Sequence, residues 1–172
     1  MESDKEREIS RSVESPVLQM EVVGVRVEMP SNQPIVLLKE ASGERYLPIW
    51  IGMTEATAIA LAQAEDPPPR PLTHDLFKDV LEALGVRLRT VNIVALRDGI
   101  FFADLVFSNG VEVSARPSDS IALALRMGAT IFASEDVVRE GGVTIPDDQE
   151  DEVEKFREFL DTITPEDFGR AG

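Results

Sequence analysis

The 172-residue sequence predicts an α+β fold, a mostly antiparallel sheet with helices packed on it. Three observations predict it. Segments rich in β-branched residues, alternating apolar and polar, recur along the chain. Asp98-Gly99 and Asn109-Gly110 separate three of them, and these dipeptides are the strongest short hairpin signals. Helical segments stop at Gly85 and Gly128, and they do not alternate with strands in a βαβ pattern.

Taken in order, residues 1–16 are polar and aperiodic and read as a flexible leader. Val17 to Glu28 reads as a strand, and Met29-Pro30-Ser31-Asn32 as a turn. Pro34 to Lys39 and Glu44 to Ile51 flank Ala41-Ser42-Gly43, a hairpin signal. Thr54 to Ala64 is an Ala-rich helix with few bulky side chains, able to pack close to a neighbour or a ligand. Four prolines between Glu65 and Leu72 make a stiff, extended connector. Thr73 is the expected N-cap of a helix from His74 to Leu84, which Gly85 ends.

Val86 to Leu96, Ile100 to Phe107 and Val111 to Ala115 then form a three-stranded meander. Ser118 to Met127 is a helix that is apolar on nearly every side, and so central and buried. Ala129 to Ala133 is a short strand, and Ser134 caps a brief helix through Arg139. Gly141 to Asp148 reads as a loop. Glu150 to Thr162 is an amphipathic helix with Val153, Phe156, Phe159 and Leu160 on one face, and Thr164 to Asp167 forms a last short turn. The domain therefore spans residues 17–140, between the leader and an acidic helical extension at 141–172.

Composition narrows the function. Cysteine is absent, which removes disulfides, thiolate nucleophiles and Cys-based metal sites. No apolar run is long enough to cross a bilayer, and the start lacks a secretory signal, so a cytoplasmic location and no membrane partner are expected. The formal net charge is −15. Residues 131–172 hold 13 acidic against 4 basic residues, and the acidic run within them, Asp147 to Glu154, reads as a solvated face. Such a chain repels polyanions, so tight nucleic-acid binding through a basic surface is excluded. Contact with phosphate at one local site is not.

Two segments share a pattern suited to such a site. Arg70-Pro71-Leu72-Thr73-His74-Asp75 and Arg116-Pro117-Ser118-Asp119 each place an arginine and a proline before a helix, then a hydroxyl, then an aspartate in the first turn. A helix start offers unpaired N–H groups and partial positive charge, and an arginine adds a forked donor for phosphate. The plainer reading is that Thr73, Ser118 and the aspartates cap their helices, with the arginines paired to Asp75 or Asp119. His74 is the single histidine. It reads either as a general base or metal ligand beside Asp75, or as an ordinary helix-start histidine. Glu55 either favours the dipole of its helix or, facing a cleft, binds a hard cation such as Mg²⁺ or Mn²⁺. Trp50 reads as a core or interface residue rather than a stacking platform.

Three strings resemble the bifunctional nuclease domain family: Leu47-Pro48-Ile49-Trp50-Ile51-Gly52 with Glu55, Arg70-Pro71-Leu72-Thr73-His74-Asp75-Leu76, and Arg116-Pro117-Ser118-Asp119-Ser120-Ile121-Ala122-Leu123. They stand in the family's order and spacing. The similarity runs from about Val17 through Ala133, with Ser120 departing from the alanine often found there. The resemblance implies an α+β fold, a homo-oligomer (most simply a dimer), and the activity of some plant members, which cut both DNA and RNA. It carries over Glu55, Arg70, Thr73, His74, Asp75, Arg116, Ser118 and Asp119.

The leading expectation is a phosphodiesterase-type nuclease. His74, Asp75 and Asp119 are its catalytic residues, Glu55, Asp75 and Asp119 hold a divalent cation, and Arg70, Thr73, Arg116 and Ser118 bind substrate. Two alternatives stand beside it. In one, the same residues form a small-anion pocket or subunit interface in a non-catalytic oligomer. In the other, they only brace helix starts, and a protein partner binds the acidic tail.

Overall fold

The computed structural model describes residues 15–64 and 66–145. Most of the leader, the acidic run and the helix expected at Glu150 to Thr162 lie outside the described residues. Eight strands form one sheet: β1 (Val17–Glu28), β2 (Gln33–Glu40), β3 (Arg45–Trp50), β4 (Leu88–Arg97), β5 (Ile100–Phe107), β6 (Glu112–Ala115), β7 (Thr130–Ser134) and β8 (Val143–Thr144). Four helices accompany them among the described residues: α1 (Met53–Gln63), α2 (Thr73–Ala83), α3 (Pro117–Met127) and α4 (Glu135–Gly141). The sheet order is β6-β5-β4-β7-β1-β2-β3-β8.

The expected meander is present as β4-β5-β6, and its two turns differ. Asp98 and Gly99 both adopt positive φ, 51° and 76°, which suits the twist of a two-residue hairpin. At the second turn only Gly110 does, at 83°. There the Val111 N–H donates to Asn109 Oδ1 at 3.1 Å. Pairing is antiparallel except between β4 and β7, which run parallel in the register Val91 to Ile131. The route through β5, β6 and α3 makes that parallel return, a connection that strand periodicity does not reveal. β8 replaces part of the expected loop. Its two residues pair with Arg45 and Tyr46, too short a run to show an alternation.

Burial follows the pleat. Val36, Leu38, Leu47, Ile49, Val91, Ile93, Ala103 and Leu105 point into one core with Ile59 of α1 and Ile121 of α3. Burying each large aliphatic side chain stabilises the fold by about 1.5–3 kcal/mol. α3 is central as expected, with Ile121, Ala122, Leu123 and Ala124 all buried. Small residues on α1, such as Ala56 and Ala58, let it pack closely against α3.

The sheet also curls. A Cβ on Gly141 of α4 would lie 3.1–3.3 Å from side-chain atoms of Leu96, Phe101 and Leu47. These come from β4, β5 and β3, which are far apart in the strand order. This closure brings the β4–β5 hairpin tip to the end of β3. Arg45 secures the same region, its guanidinium forking between Glu135 on α4 and the buried Glu40 on β2.

Trp50, read from the sequence as a core or interface residue, does not lie in the core. As the last residue of β3 it is 60% exposed, because the pleat puts it on the face opposite its neighbours Leu47 and Ile49, which supply the inward face.

Candidate active site at three helix starts

The sequence turns from β3 into α1 through Ile51 and Gly52, and Gly52 is the N-cap. No side chain caps this helix start. A Cβ at Gly52 would meet Glu55 Oε2 at 2.3 Å, so glycine is what lets the Glu55 carboxylate lie back over the first turn. α3 starts in a similar way. Arg116 is its N-cap, Pro117 occupies the first position, and no side-chain cap is made. Proline is suited to that position because its missing N–H would have no partner there. The amides of the next two residues, Ser118 and Asp119, have no intrahelical acceptor.

At α2 the expected cap shifts by one residue. Leu72 is the N-cap and Thr73 already lies in the helix. Asp75 supplies the capping bond instead, accepting from the Leu72 N–H at 3.0 Å. A third-position carboxylate can reach that amide, so Thr73 is left exposed.

These starts are joined by one bonded chain. His74 Nε2 lies 2.9 Å from Asp119 Oδ1. Arg116 donates from Nε to Asp119 Oδ2 at 2.9 Å and from Nη2 to Glu55 Oε1 at 2.9 Å. Four of the expected site residues, spread over 64 positions from Glu55 to Asp119, thus meet. Burial alone would raise the Asp119 carboxyl, but His74 and Arg116 more than offset it and hold it below the ordinary range. Asp119 is therefore ionised at neutral pH and can only accept a hydrogen bond. In the neutral ring, His74 must carry its proton on Nε2, which leaves Nδ1 with the free lone pair. Asp119 and Glu55 in turn push the Arg116 guanidinium pKa up, so it stays a cation.

Asp75 does not join this chain. Its Oδ1 accepts from Arg126 Nε at 2.7 Å. Arg126 also donates to the Ala122 carbonyl at 2.8 Å and the Ala58 carbonyl at 3.0 Å. Its side chain is only 6% exposed, and it ties together α1, α2 and α3. Burial would raise the Asp75 carboxyl, but Arg126 and the Leu72 N–H hold it low. Sequence reasoning missed Arg126. The available signal was a lone arginine closing an otherwise apolar helical run, where burial demands a partner.

The three expected metal ligands do not assemble as a set. Glu55 and Asp119 share the Arg116 guanidinium, and Asp75 serves Arg126. Among the described residues no group of three His, Asp or Glu side chains is placed to hold a metal ion. Arg70 is exposed, and it has no bond to the chain of contacts just described.

Arg116 and Ser118 also line a cleft of about 360 Å³. Its other walls come from Gln33, from Ile49 to Gly52, and from the hairpin tip Gly99 to Phe101. Both uncapped helix starts, at Gly52 and at Ser118, therefore open into it. Their dipoles add partial positive charge to that of Arg116.

A mostly antiparallel sheet with helices packed on it makes this an α+β protein. The chain belongs to the bifunctional nuclease domain family, whose family model matches residues 36–146. It is 55% identical over 159 residues to the uncharacterized protein Rv1829 of Mycobacterium tuberculosis, covering 87% of this chain and 97% of that protein. It is 22% identical over 120 residues to Bifunctional nuclease 1 of Oryza sativa subsp. japonica, covering 66% of this chain and 36% of the rice protein. No helix among the described residues is long and apolar enough to cross a membrane.

Proposed function

We propose that this protein is a nuclease that hydrolyses phosphodiester bonds of DNA and RNA, with His74 as the general base. The observation that carries the reading is the bonded chain from His74 through Asp119 and Arg116 to Glu55, set at the edge of a cleft that two helix starts enter. Membership of the bifunctional nuclease domain family and similarity to a rice bifunctional nuclease support it.

Asp119 orients the imidazole so that Nδ1 takes a proton from water. The water oxygen bonds to phosphorus, the ester P–O bond breaks, and the leaving oxygen is protonated from solvent. Arg116 has bonds from Nε and Nη2 to carboxylates, and among the described residues Nη1 has no partner. That nitrogen, with the Ser118 and Asp119 amides, receives the phosphate oxygens as charge develops on them. Asp75 acts by positioning, holding the start of α2 against α3. Arg70 and Thr73, exposed beside that start, contact the substrate further out.

The divalent cation, Mg²⁺ or Mn²⁺, is a separate proposal. With Arg116 seated between Glu55 and Asp119, no catalytic step here runs through it, and an EDTA arm in the assay tests the dependence.

A homo-oligomer, most simply a dimer, is part of the proposal. α2 has no buried residue, and Leu72, Leu76, Phe77, Val80 and Leu84 are all exposed. Spacing of four residues puts most of them in one stripe, larger than a lone apolar residue on a monomer surface. A cytoplasmic location remains the expectation from sequence.

The test is cleavage of single-stranded DNA and RNA by rigorously purified protein, run beside a thermal shift with phosphate, nucleotides and divalent metals. Turnover supports the nuclease. A shift without turnover overturns it in favour of a non-catalytic binding module.

A further inference from the structure

Trp50 is the only tryptophan in the chain, and the fold spends it on a surface. Its neighbours in β3, Tyr46, Leu47 and Ile49, are each at most 3% exposed, whereas Trp50 is 60% exposed. An indole in water forgoes most of the stabilisation its burial would bring. The residue faces the cleft and not a featureless surface. Ile100, also 60% exposed, lines the same cleft from the tip of the β4–β5 hairpin. Ile49 and Ile51 form apolar lining, while Gln33, Ser118 and Arg116 bring polar groups to the same cavity. At about 360 Å³ the space falls in the usual range for small-ligand sites, roughly 300–1,000 Å³.

An apolar slot with an aromatic wall, an amide, a hydroxyl and a guanidinium matches a nucleotide part by part. A base has two apolar faces and a polar edge, and it carries a phosphate on one side. We propose that this cleft is a subsite for one unstacked base of a single strand, stacked on Trp50, with its flanking phosphate at Arg116. The inference rests on the nuclease reading and adds the substrate class. A base inside a duplex keeps both faces covered by its neighbours and cannot enter. The chain's formal charge of −15 works against holding a long duplex by its backbone. Stacking tolerates any base because every base has a π-face, so one subsite serves DNA and RNA alike.

Trp50 is its own reporter, since all tryptophan emission comes from it. The full chain is titrated, in EDTA, with a thymidine tetranucleotide, with a tetramer of abasic tetrahydrofuran units, and with a blunt hairpin duplex. The tetranucleotide quenches Trp50 emission saturably. The abasic backbone binds at least tenfold more weakly and leaves the emission unchanged, and the duplex does not quench. By anisotropy of a labelled tetranucleotide, Trp50→Ala weakens binding roughly 5- to 150-fold, the range for loss of one base stack, while Trp50→Phe stays within about threefold of the parent, because a phenyl ring still stacks. Equal binding of tetranucleotide and abasic backbone without quenching overturns the subsite and leaves the phosphate site standing. No binding of either strand overturns both.

Discussion

His74 Nε2 and Asp119 Oδ1 stand 2.9 Å apart although 45 residues separate them in the chain. The contact joins the first turns of α2 and α3, and it settles which imidazole nitrogen is free for chemistry. Asp119→Asn keeps the shape but replaces an acceptor that can only be ionised with a group that can also donate. The ring is then no longer held in one tautomer. The expected outcome is a fall in kcat of about 10²- to 10⁴-fold, the range that positioned general bases contribute, with KM changed far less. Steady-state cleavage of a labelled oligonucleotide measures it.

Arg116 serves two carboxylates at once through its planar fork. Arg116→Lys keeps the charge and loses the fork. Cleavage efficiency should fall about 10- to 100-fold, the cost of one or two charge-assisted hydrogen bonds. The side chain is 65% exposed, so the change in Tm should be small. A large loss of Tm would show that the arginine is chiefly a brace.

Asp75 gives a prediction about pH. Its folded-state carboxyl sits below the ordinary value, which is near 3.9 in an unfolded chain. A lowered folded pKa contributes stability above about pH 3.9 that is lost as pH falls through the folded value. Asp119 acts in the same direction. Urea midpoints should therefore decline as pH drops from about 5 towards 3. Asp75→Asn should make that decline shallower. At neutral pH it should cost about 1.5–3 kcal/mol, since it leaves the nearly buried Arg126 without its charged partner.

The exposed stripe of α2 predicts the assembly. Leu76→Glu combined with Val80→Glu should convert an oligomer to a monomer with an unchanged circular dichroism spectrum, measured by light scattering after size exclusion. An unchanged mass would remove α2 from the interface.

Much of the sheet was legible because its causes are local. The alternation of Val91, Ile93 and their neighbours sets an inward face, and Asp98-Gly99 accepts positive φ at a hairpin. Helix ends were legible for the same reason, since Gly85 and Gly128 adopt the left-handed conformation at 72° and 65°. The parallel pairing of β4 with β7 was not, because it depends on where a long connection returns. Of the site, the two Arg-Pro segments were visible as suited to phosphate, and Glu55 as a helix-start carboxylate or a cation ligand. The pairing of Arg116 with Asp119 was among the readings, whereas the partners that Glu55, His74 and Asp75 meet were not. Whether Asp119 faces a metal or Arg116, and whether Asp75 faces His74 or Arg126, is decided by how α2 crosses α3. Trp50 was left between core and interface because alternation puts it on the face opposite Leu47 and Ile49 without saying whether anything covers that face.

The most direct test compares cleavage of single-stranded DNA and RNA by the parent protein and by His74→Ala, purified identically and matched for Tm. The account predicts that both substrates are cut by the parent and that both rates fall at least about 100-fold in the variant. Cleavage by His74→Ala at the parent's rate would contradict it.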